Sequence, residues 1–325
     1  MAGAINCATL CNTAVNPPVK ALVFANFLAP NMTSVYADVA ARVGRALGVP
    51  AQLIEGSGWE QLRDGSVDVA FLCGLPYVRL VGERPGMLRP LAAPILDEGR
   101  CQDRPVYFSD VIVHRDSPFR SFGDLRGQSW AYNEPGSFSG CLLVRHHLLQ
   151  LGETEAFFGR LTFTGRHQES IRQVRTGEVD ASAVDSQVLG VERLRNPDLA
   201  GELRVIETLG PSTIPLVVAT ACVPDGVQLR LRAALCELGT DPVSRDVLAG
   251  GLIRRFTRST TEPTTTSVKS WPPSRAPSLA DRVGFARQAR APSSSAGTRW
   301  MAATNACGVR TPRNRSSSTT ATQPA

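Results

Sequence analysis

Between Ala21 and about Ile253 the apolar positions alternate between strand-like and helix-like periods. "ALVFANF" is a short apolar run of β-forming residues. The following "SVYADVAARVGRALG" spaces Val35, Val39, Val43 and Leu47 four apart, on one face of a helix that Gly48 should end. "PAQLIEG" predicts a strand, "WEQLRDG" a short helix and "VDVAFLCGL" a buried strand. The rhythm continues through "DVIVHRD", "FGDLRG", "SWAYNE", a helix after Gly140, "RLTFTG", "SIRQVRTGE", "VDASAVD", "ELRVIETLG" and "IPLVVAT". Strands alternating with helices predict α/β layers.

A second pattern lies inside the first. "WEQLRDGSVDVAFL" and "SIRQVRTGEVDASAV" share one form: a short amphipathic helix, Gly65 or Gly177 in the helix-ending position, then Val-Asp at the start of a small-residue strand. Either a common helix-to-strand turn recurs by chance, or two similar α/β lobes face each other.

From residue 254 the character changes. Residues 254–325 are rich in Ser, Thr, Pro and Arg without a sustained apolar period, a composition that predicts a disordered basic tail. A shift of reading frame near residues 254–259 is the other explanation, because "TTEPTTTS" can be encoded by bases that read Asp-Gly-Ala-Tyr-Asp-Asp-Ile in another frame. Residues 1–20 are expected to be a flexible N-terminus.

Charge and cysteine content narrow the function classes. The chain of 325 residues has a net charge of +6, but residues 254–325 hold 12 Lys and Arg against 2 Asp and Glu. The first 253 residues hold 23 basic and 27 acidic side chains, so the body is mildly acidic and no nucleic-acid partner is expected. Eight cysteines (Cys7, Cys11, Cys73, Cys101, Cys141, Cys222, Cys236 and Cys307) form no CxxC pair and have no accompanying His spacing, which predicts buried thiols, no metal and no disulfide framework. No run approaches the ~20 apolar residues of a membrane span. Met1 to Lys20 lacks a basic start followed by an apolar core, so the start reads as cytoplasmic or clipped.

The stretch "AYNEPGSFSGCLLVRHHLLQLG" (Ala131 to Gly152) carries the strongest chemical signal. Pro135 keeps Glu134 extended, and a helix then begins near Ser139 or Gly140. Its first N–H groups lack helical partners and carry partial positive charge, so small residues there let an oxyanion approach. The alternative is a serine N-cap with no ligand. Catalytic motifs are weaker: Ser139 lies outside a G-x-S-x-G elbow, and no spacing pairs His114, His146, His147 or His167 with a serine. No catalytic residue, cofactor or enzymatic activity is expected.

"VDVAFLCGLPYV" (67–78), "YFSDVIVHRDSPFRSFGDLRGQSWAYNEPGSFSG" (107–140), "TGRHQESIRQVRTGEVDASAVDSQVL" (164–189) and "GPSTIPLVVAT" (210–220) occur in this order, and together they resemble the phosphate/phosphite/phosphonate substrate-binding family of ABC importers. The resemblance covers about Ala21 to Ile253. It implies a type II periplasmic-binding-protein fold, two α/β lobes joined by two crossing strands. Residues 21–108 with 214–253 would form lobe 1, and residues 109–213 lobe 2.

The resemblance also implies a site. Ser137, Phe138, Ser139 and Gly140 would form the oxyanion cradle. Relatives usually have Ser-Thr-Ser here, and Phe138 replaces the middle hydroxyl residue. Tyr77, Tyr107 and Ser109 are further candidate hydroxyl donors. His167 would donate to an anion, and Asp185 would orient a donor or recognise a protonated oxyanion. Gln168 and Ile214 stand where relatives that take aminophosphonates carry acids, which argues against aminoethylphosphonate.

The implied partners are a small anionic or polar solute and a transporter permease. The implied location is extracytoplasmic if the true start carries a signal. A cytoplasmic ligand sensor or a cofactor-biosynthesis enzyme on the same scaffold are the alternatives.

Overall fold

A computed structural model describes residues 21–259; the expectations for residues 1–20 and 260–325 lie outside the described residues. The chain begins with β1 (Leu22–Asn26), α1 (Thr33–Leu47), β2 (Ala51–Glu55), β3 (Val69–Leu72), α2 (Gly74–Glu83) and β4 (Leu88–Leu96). It then crosses to a second sheet and builds β5 (Val106–His114), β6 (Ser129–Tyr132), α3 (Leu143–Gln150), β7 (Arg160–Phe163), α4 (His167–Arg175), β8 (Ala181–Asp185), α5 (Ser186–Arg195), α6 (Leu199–Glu202) and β9 (Leu203–Thr213). A second crossing returns it through β10 (Leu216–Thr220), α7 (Asp225–Glu237), α8 (Pro242–Ala249) and β11 (Ile253–Arg258).

The two sheets have the orders β11-β4-β10-β3-β1-β2 and β7-β6-β8-β5-β9. Each contains three parallel strands, β2-β1-β3 or β7-β6-β8, and each then adds an antiparallel strand that follows a crossing, β10 beside β3 and β5 beside β8. The repeated Val-Asp falls at matching places. Asp68 accepts the Val23 N–H of β1 at 2.8 Å, and Asp180 accepts the Ser129 N–H of β6 at 2.8 Å. Both carboxylates satisfy an N–H that opens the neighbouring parallel strand, which explains the recurrence of the motif. Gly65 and Gly177 precede them with φ of +79° and +73°, the left-handed region that glycine enters without steric cost.

α1 forms where its spacing predicts, with Val35, Val39, Val43 and Leu47 buried against the first sheet. The periodicity passes over β4, because Pro90 and Pro94 demote the run as a strand. The sheet accommodates them where its neighbours slip: β10 shifts register between Val217 and Val218, next to Pro90, and β11 shifts between Ile253 and Arg255, beside Pro94.

The expected onset of an irregular tail at residue 254 is corrected by β11. Ile253 to Arg258 pair antiparallel with β4, and Phe256 is buried in the first core.

Two features tie the lobes together. Arg100, in the first crossing, makes two contacts of 2.7 Å with the buried Asp110 carboxylate on β5, which also accepts from Thr208 of β9 at 3.0 Å. A buried carboxylate is tolerated when paired and hydrogen-bonded in this way. Across the lobes, Asn31 donates to the Val188 carbonyl at 3.2 Å and Gln187 to the Gly251 carbonyl at 2.8 Å.

Candidate functional site

Strands β1, β3, β6 and β8 end facing one cleft of about 760 Å³ between the sheets. Helical segments starting at Pro30, Gly74, Phe138, His167 and Ser186 open towards it, so five positive helix ends converge on one space. In open α/β sheets this carboxyl end of the strands is where ligands bind.

The Ser137–Gly140 turn is the most highly built part. Ser137 is an N-cap whose hydroxyl accepts the Gly140 N–H at 3.1 Å. Phe138 to Leu142 form a π-helical turn, with the Leu142 N–H reaching back to the Ser137 carbonyl at 3.0 Å. The N–H groups of Phe138 and Ser139 open this turn, where no earlier helical carbonyl is available.

Ser139 is held from behind. Ser109 donates its hydroxyl to the Ser139 carbonyl at 2.8 Å, and the Ser139 hydroxyl lies 3.3 Å from His167 Nε2. Gly140 is glycine because of Asn133, since a Cβ at residue 140 would stand 1.9 Å from Asn133 Oδ1. Asn133 Oδ1 and His167 Nδ1 are both buried without a protein partner.

Burial governs the titratable groups on the floor of the cleft. Burial pushes the Asp185 carboxyl up to about 7, against the downward pull of the Val188 and Gln187 N–H groups that it caps at 3.2 and 2.9 Å. Burial lowers His167 to about 4, so its imidazole is neutral at pH 7. Burial, reinforced by the Asp185 charge, raises the Tyr36 phenol and brings the Cys73 thiol up to about 12. Burial thus favours the protonated thiol at Cys73. Among the described residues no group of three His, Cys, Asp or Glu is placed to hold a metal, and no helix is long and apolar enough to cross a membrane.

The family of ABC-transporter periplasmic phosphonate substrate-binding proteins matches residues 22–262. The chain belongs to this family. A phosphonates-binding periplasmic protein of Escherichia coli K12 is 24% identical over 188 residues, a match spanning 55% of this chain and 52% of that protein. Among solved structures, PhnD1 of Prochlorococcus marinus in complex with methylphosphonate superposes with a TM-score of 0.67 at 18% identity, over 77% of this chain and 96% of that one. The binding-protein component of an ABC phosphonate transporter from Pseudomonas aeruginosa gives 0.65 at 17%, over 77% and 84%. The fold is that of type II periplasmic binding proteins, and the family is periplasmic.

Of the residues that the sequence singles out, Ser137, Phe138, Ser139, His167 and Asp185 line the cleft together. Gly140, Tyr107, Ser109 and Tyr77 do not. Gly140 and Ser109 lie behind Ser139, as described above. Tyr107 is buried; loss of hydration raises its phenol well above the ordinary value, while a hydrogen bond with the Ser139 side chain pulls weakly the other way. Tyr77 is buried in the first core, where loss of hydration raises its phenol against the opposing pull of Arg89 on β4.

Gln168 lines the cleft and donates to Glu192 at 3.2 Å, whereas Ile214 is fully buried. The sequence reading misses Phe27, Tyr36, Trp59, Cys73 and Asn133. For Phe27, Cys73 and Asn133 a signal was present, because each directly follows a strand.

Proposed function

We propose that this chain is the solute-binding component of an ABC importer and that it captures a small phosphorus oxyanion of the phosphate, phosphite or phosphonate type between its lobes. The observation that carries this reading is the Ser137–Gly140 turn, which opens a helix into a cleft where four other helical segments also begin. An oxyanion at this turn would receive the N–H groups of Phe138 and Ser139 and the Ser139 hydroxyl. Hydrogen bonds to a charged acceptor are worth about 1.5–3 kcal/mol each, and a closing cleft strengthens them by excluding water.

The uncharged His167 suits capture and release. With His167 uncharged, the anion is held by dipoles rather than by a buried cation. Asp185 retains its proton below about pH 7 and can donate it to an oxygen of the ligand. The similarity to phosphonate-binding proteins and the neutral thiol of Cys73 support a capture protein rather than an enzyme. The periplasmic family supports work outside the inner membrane beside a permease.

Isothermal calorimetry of the full chain with methylphosphonate, phosphite, phosphate and methanesulfonate tests the reading. One-to-one binding of at least one phosphorus oxyanion, weakened roughly tenfold or more by Ser139→Ala, is expected. No heat and no thermal shift with any of them, in protein shown to be folded by circular dichroism, would reject it.

A further inference from the structure

We propose that the bound solute carries an uncharged aromatic arm opposite its oxyanion, and that Phe27 and Trp59 form the subsite that takes this arm. The proposal rests on the oxyanion reading above and names the substrate class within it.

The two rings stack in the cleft with centroids 5.1 Å apart and planes 28° from parallel. Trp59 is 39% exposed and lines the cleft. The wall is fixed before any ligand arrives. The Phe27 N–H donates to the Phe71 carbonyl at 3.1 Å and the Leu28 N–H to Asn26 Oδ1 at 3.0 Å, anchoring the backbone on both sides of the ring. The Phe27 ring also lies directly on the backbone of Gly56, where a Cβ would stand 2.3 Å from it.

Phe138 borders the same cleft from the other lobe and packs against the core of the first. The cleft thus has an oxyanion end at Ser139 and an aromatic wall at Phe27 and Trp59. Its volume of about 760 Å³ falls within the range of about 300–1,000 Å³ that takes whole organic ligands. A phosphate, or a phosphonate with one methyl group, fills only a small part of this volume.

The charges beside the wall are two of each sign, so they offer no net attraction to a charged arm. Glu83 is paired with Arg63 at 2.8 Å, Glu55 accepts from Thr33 at 2.8 Å, and Arg79 lines the same side. A flat uncharged group stacks on Trp59 without having to compete for these carboxylates.

Calorimetry of the full chain with phosphate, methylphosphonate, benzylphosphonate and 2-(trimethylammonio)ethylphosphonate tests the proposal. Benzylphosphonate should bind at least tenfold more tightly than methylphosphonate. In Trp59→Leu and in Phe27→Leu that ratio should fall towards one, with melting curves confirming folded protein. Equal affinity for benzylphosphonate and methylphosphonate in the unaltered chain overturns the aromatic subsite and leaves the oxyanion reading standing. Tightest binding of the trimethylammonio compound overturns the uncharged arm, and a ratio unchanged in both variants overturns the assignment of Phe27 and Trp59 as its subsite. Absence of binding by all four overturns the subsite together with the oxyanion reading.

Discussion

Asn133 Oδ1 occupies the space that a side chain at residue 140 would need, at 1.9 Å from the position of its Cβ. The glycine after Ser139 is therefore set by a neighbouring strand end, not by a backbone angle that only glycine adopts. Gly140→Ala should force the two apart at a cost of about 1–3 kcal/mol. Asn133→Ala in the same chain should recover part of that loss. Urea unfolding of the single and double variants measures both, and equal losses in the two would refute the contact as the cause.

Asp185 and His167 should have opposite and compensating pH dependences. Asp185 keeps its proton in the folded chain to about pH 7, whereas an unfolded aspartate releases it near 3.9. Its contribution to stability is complete below the unfolded value and is lost as pH rises through about 7. His167 titrates near 4 when folded and near 6.5 when unfolded, so its contribution is present above about 6.5 and lost as pH falls through about 4. Between about pH 4.5 and 6 the folded chain holds one extra proton at Asp185 and lacks one at His167, and the two slopes cancel. Asp185→Asn should make stability rise with pH across this window by up to about 1.4 kcal/mol per unit, and His167→Gln should make it fall by a similar amount. Urea titrations at half-unit steps would show whether the slopes have opposite signs.

Phe138→Thr should strengthen binding of small, fully charged oxyanions by roughly tenfold, because it restores a hydroxyl donor at the helix start. The same change removes an aromatic ring from the cleft and should weaken ligands that carry an organic arm. Calorimetry with phosphite and benzylphosphonate would register the crossover. A loss for both ligands would assign Phe138 to interlobe packing alone.

A chain ending at Ile253 should be much less stable than one ending at Ser259. The shorter chain loses the pairing of β11 with β4, the buried Phe256 ring, and the Arg254–Asp97 and Arg255–Asp103 pairs at 2.9 and 2.7 Å. Loss of a buried phenylalanine alone costs about 3–5 kcal/mol. Thermal melts of the two truncated chains would separate the outcomes, and matching midpoints would contradict a structural role for β11.

Much of this architecture is legible in sequence because it depends on local period. The four-residue spacing of Val35, Val39 and Val43 makes α1, and the paired Val-Asp motifs mark equivalent strands. The prolines of β4 conceal a strand, because their compatibility with the sheet depends on slips in β10 and β11, which are remote in sequence. The site is legible where a turn declares itself, as at Ser137–Gly140. Ser109 and Tyr107 carry suitable hydroxyls, but strand β5 places them behind Ser139, and residue type alone does not say on which side of a wall a donor stands. Phe27 and Trp59 look like ordinary core aromatics until the fold brings β1 and the segment after β2 to the same cleft.

The matched aspartates also work as an internal ruler. Counting five residues on from Asp68 leads to Cys73, and the same count from Asp180 leads to Asp185; each is the N-cap of the next helix and faces the cleft. One end of each unit secures the sheet and the other faces the cleft, with a buried strand between them. A thiol stands at the cleft end in one lobe and a carboxyl in the other, whereas the anchoring aspartate is the same in both. The architecture thus separates the residue that anchors each parallel strand from the residue that faces the cleft.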